Sequence, residues 1–296
     1  MTAFRSGFVA LAGRPNVGKS TLLNLFVGEK ISIVTPRPQT TRHRVIGLVH
    51  SPEAQIAFID TPGLHRGPKR ALNRAMNRAA AAALGDADVI LFVVEALKWT
   101  EEDEAALARI VAVDRPVIAV INKVDRARPR ERLLPFLGRL AERHEFRELV
   151  PVSALKGDNI AALSRAIVAL LPVGEPMYPV DQRTDRSQSF RIAEIIREKL
   201  TMELVEEVPY GIAVELDSVE QLEDGRTAVS AVICVDRAGQ KPIVIGADGE
   251  RLKRVGRAAR LELNRLFGGR FHLTLWVKVR ADWADDVRAL KQLGME

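Results

Sequence analysis

One segment, Gly13-Arg-Pro-Asn-Val-Gly-Lys-Ser20, constrains the fold of this chain more than any other. It fits the pattern G-x-x-x-x-G-K-[ST] and lies between an apolar run ending at Ala12 and a helical pattern beginning near Lys19. In that setting the glycines let main-chain N–H groups surround phosphate oxygens, and the helix N-terminus adds partial positive charge. The segment therefore predicts a phosphate-binding loop; the alternative is a chance glycine-rich turn.

Short apolar runs alternate with helical patterns over residues 1–172. Because these runs are apolar on both faces, they predict strands buried on both sides, in a mostly parallel sheet covered by helices. The predicted strands are Phe8–Ala12, Val45–Val49, Gln55–Ile59, Val89–Val94, Val117–Ile121 and Leu149–Val152. Thr100 to Asp103 resembles a capping box and predicts a helix through Val113. We expect an α/β domain over residues 1–172.

The run Ile56-Ala-Phe-Ile-Asp60 delivers a carboxylate at the end of a buried strand. There it could hold the hydration shell of Mg²⁺, together with the hydroxyl of Ser20. Gly63 follows, and a glycine at that position lets a backbone amide approach a γ-phosphate. The alternative is an ordinary turn, since Asp-Thr-Pro-Gly is a favourable turn sequence.

Asn122-Lys-Val-Asp125 follows another predicted strand. The carboxylate of Asp125 can accept from both N1–H and N2–H of guanine, whereas adenine offers no such pair of donors. Ser153-Ala154 ends the next strand and could place a backbone amide near guanine O6, although this dipeptide alone is uninformative. Ligands of such sheets bind at the carboxyl ends of the strands, where all these segments are expected.

The four segments resemble those of Ras-like P-loop GTPases. Three longer stretches resemble the Era branch of the TrmE–Era–EngA group: the loop continued through Asn24, Pro38-Gln-Thr-Thr-Arg-His43, and Asp60-Thr-Pro-Gly-Leu-His65. The resemblance implies that GTP or GDP binds with Mg²⁺. The implied nucleotide-binding residues are Gly13, Arg14, Pro15, Asn16, Val17, Gly18, Lys19, Ser20, Thr21, Asp60, Thr61, Pro62, Gly63, Asn122, Lys123, Asp125, Ser153 and Ala154.

The resemblance also implies roles in catalysis and metal binding. The implied catalytic residues are Lys19, Thr41 and Gly63. The implied Mg²⁺ ligands are Ser20, Thr41 and Asp60. The first switch, a segment that closes on the nucleotide in the family, is expected around Thr40 and Thr41. Thr41 is favoured as the Mg²⁺ ligand, and Thr40 is the alternative.

A second switch is expected from Asp60 through the Gly67–Arg70 region. Leu64 stands where Ras-like proteins keep a glutamine that orients the attacking water. Because leucine cannot hydrogen-bond water, we predict slow intrinsic hydrolysis, raised by a partner, another residue or a cation. His65 is either a general base for hydrolysis or, as we favour, a solvated loop residue.

In relatives an asparagine at the position of Asn16 helps hold K⁺ beside the phosphates. The resemblance therefore implies that K⁺ stimulates hydrolysis.

Residues 173–184 are predicted to be an interdomain linker, because the stretch from Leu171 to Pro179 contains three prolines and a glycine. The remainder, residues 185–296, shows the order α-β-β-α-β, which is typical of a small α+β domain. Its charge is uneven: residues 181–236 carry 6 basic and 13 acidic residues, whereas residues 237–280 carry 11 and 3.

The cationic block contains Gly246-Ala-Asp-Gly249, a G-x-x-G that we place between an apolar strand and a helix. Such a turn can clamp a nucleic-acid backbone, although a G-x-x-G without further evidence is more often an ordinary turn. The whole stretch resembles the KH domain of Era proteins, which implies binding of single-stranded RNA. The implied RNA-binding residues are Ile245, Gly246, Ala247, Gly249, Arg251, Lys253, Arg254, Arg257 and Arg260.

Two further features of the block are ambiguous. Asp248 and Glu250 would repel phosphate, so we do not expect them to contact RNA. Phe271, Trp276 and Trp283 could stack on bases, but their spacing favours a role in the core.

The resemblance implies a GTPase that binds small-subunit (16S) ribosomal RNA near its 3′ end and acts in assembly of the small (30S) ribosomal subunit. The alternative is a GTP-gated RNA-binding scaffold with negligible hydrolysis; a tRNA-modifying GTPase like TrmE fits this length poorly.

The single cysteine, Cys234, excludes an intrachain disulfide and fits a reducing cytosol. We expect a cytoplasmic monomer without a membrane span; the resemblance adds peripheral association with the inner membrane.

Overall fold

The computed structural model describes residues 3–63 and 70–295, which form two compact units. The segments of the first unit are residues 3–32, 41–63 and 73–185. Those of the second unit are residues 33–40, 70–72 and 186–295.

The first unit contains a six-stranded sheet with the strand order β2-β3-β1-β4-β5-β6. Its strands are β1 (Arg5–Ala12), β2 (Val45–His50), β3 (Ala54–Asp60), β4 (Val89–Glu95), β5 (Val117–Asn122) and β6 (Glu148–Pro151). All neighbours are parallel except β2, which runs antiparallel to β3. The four central strands are almost entirely buried, as their apolar runs predict. The predicted α/β fold with a mostly parallel sheet is confirmed.

The helices of this part of the chain are α1 (Lys19–Val27), α2 (Ala71–Asp86), α3 (Glu101–Val111), α4 (Leu133–Ala141) and α5 (Ile160–Leu170). Alternate residues of β1, β4 and β5, among them Phe92, form one cluster with residues of α2, α3 and α4. The predicted capping box is confirmed, because Thr100 and Asp103 exchange their side-chain and main-chain hydrogen bonds at the start of α3.

The segment predicted to be a linker is hydrogen-bonded to the first unit. The main-chain N–H of Leu48 in β2 donates to the carbonyl of Arg183 at 2.9 Å. Gln55 is fully buried; its side-chain oxygen accepts from the N–H groups of Met177 and Tyr178 at 2.7 and 2.9 Å. These bonds hold the proline-containing segment beside β2 and β3.

The second unit contains a three-stranded sheet of β7 (Ile212–Gln221), β8 (Arg226–Val235) and β9 (Arg270–Val279) in that order. β8 is antiparallel to β7 and parallel to β9. The helices are α6 (Gln188–Glu203), α7 (Gln240–Ile245), α8 (Glu250–Phe267) and α9 (Val287–Gln292). One cluster, which includes Ile196, Ile233 and Ala259, joins α6 and α8 to this sheet. The predicted α+β character is confirmed.

The apolar residues before Gly246 were expected to form a strand, and this prediction is wrong, because they form the end of helix α7. The side-chain oxygen of Gln240 accepts from the N–H groups of Asp236 and Arg237 at 3.0 and 3.1 Å, which turns the chain after β8. A short apolar run does not by itself distinguish a strand from a buried helical turn.

Residues 33–40 are part of the second unit because they bind α6. The side chain of Arg37 donates to the carbonyls of Thr201 and Leu204 at 3.1 and 2.5 Å, which satisfies acceptors at the end of that helix. The N–H of Val34 donates to Glu198 at 2.9 Å. Residues 70–72 are attached in a similar way, through Asp285 and the carbonyl of Ala284.

The three ambiguous aromatic residues of the second unit differ in burial. Phe271 and Trp283 are buried, as expected for core residues, and the indole N–H of Trp283 donates to the carbonyl of Gly211 at 3.0 Å. Trp276 is 63% exposed, so its prediction as a core residue is wrong. Side chains alternate along β9, and the odd-numbered residues are those that join the core.

Within residues 3–63 and 70–295, no helix is both long and apolar enough to cross a lipid bilayer.

Candidate nucleotide and RNA sites

The loop between β1 and α1 follows a path that only glycine can take at two positions. Gly13 has a φ of 141°, and a Cβ there would lie 2.3 Å from the carbonyl oxygen of Val93. Gly18 has a φ of 103°, and a Cβ there would lie 2.3 Å from the side-chain nitrogen of Asn122. Neither the backbone conformation nor the available space admits a side chain, so the loop presents main chain instead.

Lys19 is buried at the mouth of this loop, and its ammonium group donates to the carbonyls of Gly13 and Arg14, both at 2.9 Å. Burial lowers the pKa of Lys19 to about 8, although the nearby carboxylate of Asp60 opposes this shift. A phosphate bound to the loop would supply the negative charge that favours the protonated lysine.

The three predicted Mg²⁺ ligands meet at one point. The hydroxyl of Ser20 lies 2.7 Å from a carboxylate oxygen of Asp60 and 2.9 Å from the hydroxyl of Thr41, and Thr41 lies 3.3 Å from the same oxygen. Burial raises the pKa of Asp60, against the effect of its hydrogen bonds and of Lys19. Its other oxygen is buried and has no hydrogen-bond partner among the described residues. Two hydroxyls beside a partly unpartnered buried carboxylate suit a hydrated magnesium ion.

Thr40 and Thr41 occupy different environments, although they are adjacent in sequence. The hydroxyl of Thr40 donates to the carbonyl of Arg37 at 2.8 Å and lies 2.6 Å from the hydroxyl of Thr35. Only Thr41 lies beside Ser20 and Asp60. The geometry therefore favours Thr41 as the ligand, in agreement with the preference drawn from the sequence.

Ser32 is a member of this cluster that the sequence did not indicate. Its hydroxyl donates to Asp60 at 2.8 Å, and its main chain is held by Asn24 of α1. The side-chain oxygen of Asn24 accepts from the N–H groups of Ile31 and Ser32, both at 2.9 Å. A lone serine between two isoleucines carries no recognisable pattern, whereas Asn24 stood within the stretch that resembles Era proteins.

Asp125 and Ser153 come together at the ends of β5 and β6. The hydroxyl of Ser153 donates to one oxygen of Asp125 at 2.6 Å, which orients the carboxylate. Asn122 connects three loops: its amide donates to the carbonyl of Val17 at 2.8 Å, and its oxygen accepts from the N–H of Ala154 at 3.0 Å. Asn122 thus positions the surrounding loops, while Asp125 is the group suited to select a base.

The side chain of Arg14 takes part in a partly buried ion-pair network instead of lining the phosphate loop. It donates to Asp103 and to Glu95, both at 3.0 Å, and Glu95 also accepts from Lys123 at 3.0 Å. Burial alone would raise the pKa of Glu95, but the hydrogen bonds from Lys123 and Arg14 outweigh it and lower the pKa. Arg14 can therefore contact a nucleotide only through its main chain. The sequence did not indicate Glu95 or this role of Asp103.

The remaining predicted residues lie around the same loop. A Cβ on Gly63 would lie 2.9 Å from the ring of Pro15, so this approach also requires glycine. The hydroxyl of Thr61 donates to the carbonyl of Leu11 at 2.9 Å. Val17 and Pro62 are buried, Thr21 is partly buried in α1, and Asn16 is exposed. Leu64, His65 and the predicted switch residues 67–69 lie outside the described residues.

The second unit has a groove of about 460 Å³ between α8 and β9. Four predicted RNA-binding residues line it: Gly249, Lys253, Arg257 and Arg260. The sequence missed the groove's apolar floor and its histidine, which are Leu252, Gly256, His272, Leu273 and Leu275. Only the pairing of α8 with β9 in three dimensions brings these residues together.

The other predicted RNA-binding residues are not among those that line this groove. Gly246 is required by its turn, since it has a φ of 76° and a Cβ there would lie 2.8 Å from the Cβ of Arg251. The guanidinium of Arg251 donates to the carbonyl of Ile243 at the end of α7. Arg254 pairs with Glu203 at 2.8 Å, which raises the pKa of Arg254. Ile245 and Ala247 flank Gly246 in the turn.

Thr41→Ala is expected to weaken Mg²⁺-dependent binding of a fluorescent GTP analogue about 10-fold to 100-fold, as for loss of a group that holds a metal. The matched control, Thr40→Ala, removes the same hydroxyl one residue earlier and should bind the analogue almost unchanged. Mg²⁺ titrations of both variants are the measurement. Equal losses in the two variants would contradict the placement of Thr41.

Two family models match the chain at these sites. One, described as "50S ribosome-binding GTPase", matches residues 8–123, which include the phosphate loop, Asp60 and Asn122. The other, described as "KH domain", matches residues 207–284, which include the groove between α8 and β9.

Curated relatives match nearly the full length of the chain. GTPase Era of Marinobacter nauticus is 51% identical over 292 residues, which cover 98% of this chain and 95% of that protein. GTPase Era of Glaesserella parasuis is 49% identical over 288 residues, which cover 97% of this chain and 96% of that protein.

Two crystal structures of Era proteins are similar to both units. A variant of Aquifex aeolicus Era bound to GDP·AlF4⁻ has a TM-score of 0.95 and 41% identity. A structure of Era in complex with MgGDPNP and nucleotides 1506–1542 of 16S ribosomal RNA has a TM-score of 0.95 and 42% identity. In both cases 99% of each chain is covered. By this identity over nearly its whole length, the chain belongs to the Era family of GTPases.

Proposed function

We propose that this GTPase uses the loop at Gly13–Ser20 to bind GTP with Mg²⁺ and the groove between α8 and β9 to bind small-subunit ribosomal RNA near its 3′ end, in assembly of the small ribosomal subunit. The convergence of Ser20, Thr41 and Asp60 carries the nucleotide part of the proposal. The RNA part is supported by the cationic groove and by the 16S RNA present in the structure of a relative. Membership of a GTPase family favours hydrolysis over a scaffold without it.

Each part of the nucleotide has a group suited to hold it. Main-chain N–H groups of the loop would surround the phosphates, and Lys19 would neutralise charge at the β- and γ-phosphates. Ser20, Thr41 and Asp60 would hold the magnesium ion, which neutralises developing charge on the phosphates when bound. Asp125, oriented by Ser153, would accept the two N–H donors of guanine, and the N–H of Ala154 lies in the loop beside it.

Three residues are proposed to act in hydrolysis. Lys19 is rigidly held by two carbonyls, so its charge is positioned before the reaction begins. Thr41 would position the ion at the γ-phosphate. Gly63 would present a main-chain N–H to the same phosphate, at a place where Pro15 leaves no room for a side chain.

The groove combines features that suit single-stranded RNA. Its apolar floor, which includes Leu252 and Leu275, can receive bases, and Lys253, Arg257 and Arg260 lie along the same side of α8. Lys253 also pairs with Glu250 at 2.9 Å, which reduces the repulsion that Glu250 would exert on phosphate. Arg251 donates to the carbonyl of Ile243, and Arg254 pairs with Glu203 of α6. We therefore propose that Arg251 stabilises the turn at Gly246 and that Arg254 holds α8 against α6.

Arg257→Gln is expected to weaken binding of an RNA copied from the 3′ end of 16S ribosomal RNA about 3-fold to 10-fold. It should also reduce the slope of log affinity against log salt by about 0.7, the value for one phosphate contact on a single strand. Arg254→Gln, on the same helix but held by Glu203, is the matched control and should change affinity less than about twofold. Fluorescence anisotropy over a salt series measures both. Equal effects of the two variants would refute the assignment of the groove.

We also propose that K⁺ stimulates hydrolysis through Asn16. The side chain of Asn16 is exposed, and its main-chain carbonyl accepts from the ammonium group of Lys123 at 2.7 Å, which fixes the backbone there. An additional cation beside the phosphates would stabilise the charge that develops during hydrolysis.

Turnover in K⁺ buffer is expected to exceed turnover in Na⁺ buffer of equal ionic strength by at least about tenfold, which corresponds to about 1.4 kcal/mol of the barrier, because an added charge stabilises the transition state. Asn16→Ala should abolish this difference while leaving GDP affinity nearly unchanged. Phosphate release measures both quantities. Equal turnover of the unmodified protein in the two salts would disprove the proposal.

We further propose that the protein acts as a monomer in the cytoplasm, where ribosomal subunits are assembled, and that it associates peripherally with the inner membrane. The single cysteine supports the cytoplasmic location, and the membrane association rests on the resemblance to Era proteins. Sedimentation of the purified protein and flotation with anionic vesicles test them separately.

A further inference from the structure

Strand β9 presents a row of exposed side chains on the face of the sheet opposite the core. The row consists of Arg270, His272, Thr274, Trp276 and Lys278, all of which are exposed. Consecutive members are two residues apart, so their spacing along the strand is about 6.6 Å. The row thus has a cationic residue at each end and His272, Thr274 and Trp276 between them, along an edge strand of the sheet.

Trp276 is the most unusual member of this row. Its side chain is 63% exposed, although tryptophan is usually largely buried. Its neighbour in register on β8 is Val232, and the neighbours of Thr274 and Lys278 are Ser230 and Cys234. Because these neighbours are small, no large side chain of β8 covers the indole ring.

The two edges of this sheet differ in charge. On β7, the opposite edge, Glu215 pairs with Val232 and Glu220 pairs with Ala228, so both stand in line with the row of β9. Glu215 also forms an ion pair with Arg280 at 3.0 Å. A polyanion would therefore be attracted along β9 and repelled from β7.

The row is continuous with the groove already described. His272 lines the groove together with Arg257 and Arg260, and it is also the second member of the row on β9. An RNA strand leaving the groove past His272 would meet Thr274, Trp276 and Lys278 next.

We propose that the open face of β9 is a second RNA-binding track, on which Trp276 stacks against an unpaired base and Arg270 and Lys278 contact phosphates. Every base has a face that can stack on an indole, so the track binds single-stranded RNA with little sequence preference. The proposal rests on RNA binding by the groove. It adds the claim that RNA longer than the few nucleotides a KH groove holds is bound outside that groove.

The test compares two labelled single-stranded RNAs copied from the 3′ end of 16S ribosomal RNA, one of 6 and one of 12 nucleotides. Trp276→Ala should weaken binding of the longer RNA at least about fivefold, as for loss of one base stack, and leave the shorter RNA unchanged. Trp276→Phe, which retains an aromatic face, should restore most of the loss. Lys278→Gln should reduce the salt slope for the longer RNA by about 0.7.

Two controls keep this result separate from that of the groove. Arg257→Gln should weaken both RNAs, whereas Val287→Ala, which removes another exposed apolar side chain, should weaken neither. If Arg257→Gln has no effect on either RNA, the groove itself is misassigned. If Arg257→Gln weakens both RNAs and Trp276→Ala weakens neither, only the second track is refuted.

A protein occupant of the same face would give a different pattern. In that case Trp276→Ala would leave both RNAs unchanged but reduce binding to purified small ribosomal subunits, and this outcome also overturns the proposal. Quenching of tryptophan emission by the 12-nucleotide RNA, lost in Trp276→Phe, would support stacking directly. Because Trp276 is outside the core, thermal unfolding of its variants is expected to match that of the unmodified protein.

Discussion

The backbone of the loop from Gly13 to Gly18 is the constraint on which the nucleotide site depends. The carbonyl of Val93 and the side chain of Asn122 occupy the space that a Cβ would need at these two glycines. Val93 lies in β4 and Asn122 is the last residue of β5, so the loop packs against the carboxyl ends of these two strands. A side chain at either position would force the loop away from the strand ends at Asp60 and Asn122 and from the turn that carries Asp125.

Two buried groups of opposite charge, Lys19 and Asp60, lie close to this loop. Burial lowers the pKa of Lys19 and raises the pKa of Asp60, and both shifts disfavour the charged form. Those charged forms are the ones that phosphate and magnesium require. Phosphates bound to the loop would favour the protonated lysine, and a magnesium ion held by Ser20, Thr41 and Asp60 would favour the ionised carboxylate.

Residues that act through local chemistry could be predicted from the sequence. The glycines, Lys19, Ser20 and Asp60 lie in short patterns whose function depends on adjacent residues, and the structure places them around one loop. Glu95 and Ser32 could not be predicted, because their partners are distant in sequence and become neighbours only when the sheet forms. The binding of residues 33–40 to α6 was missed for the same reason. Trp276 shows a further limit: strand spacing gives the alternation of faces but not which face is buried.

Main-chain groups of the loop bind the phosphates in this account, and the carboxylate of Asp125 selects the purine. Calorimetric titration of GDP and XDP into the unmodified protein and into Asp125→Asn measures this selection. The unmodified protein should prefer GDP, because the carboxylate accepts two N–H donors. Asp125→Asn should prefer XDP and bind it within about tenfold of the original GDP affinity, since loss of one pair of base contacts leaves the phosphate loop intact. Retained preference for GDP in the variant would contradict the account.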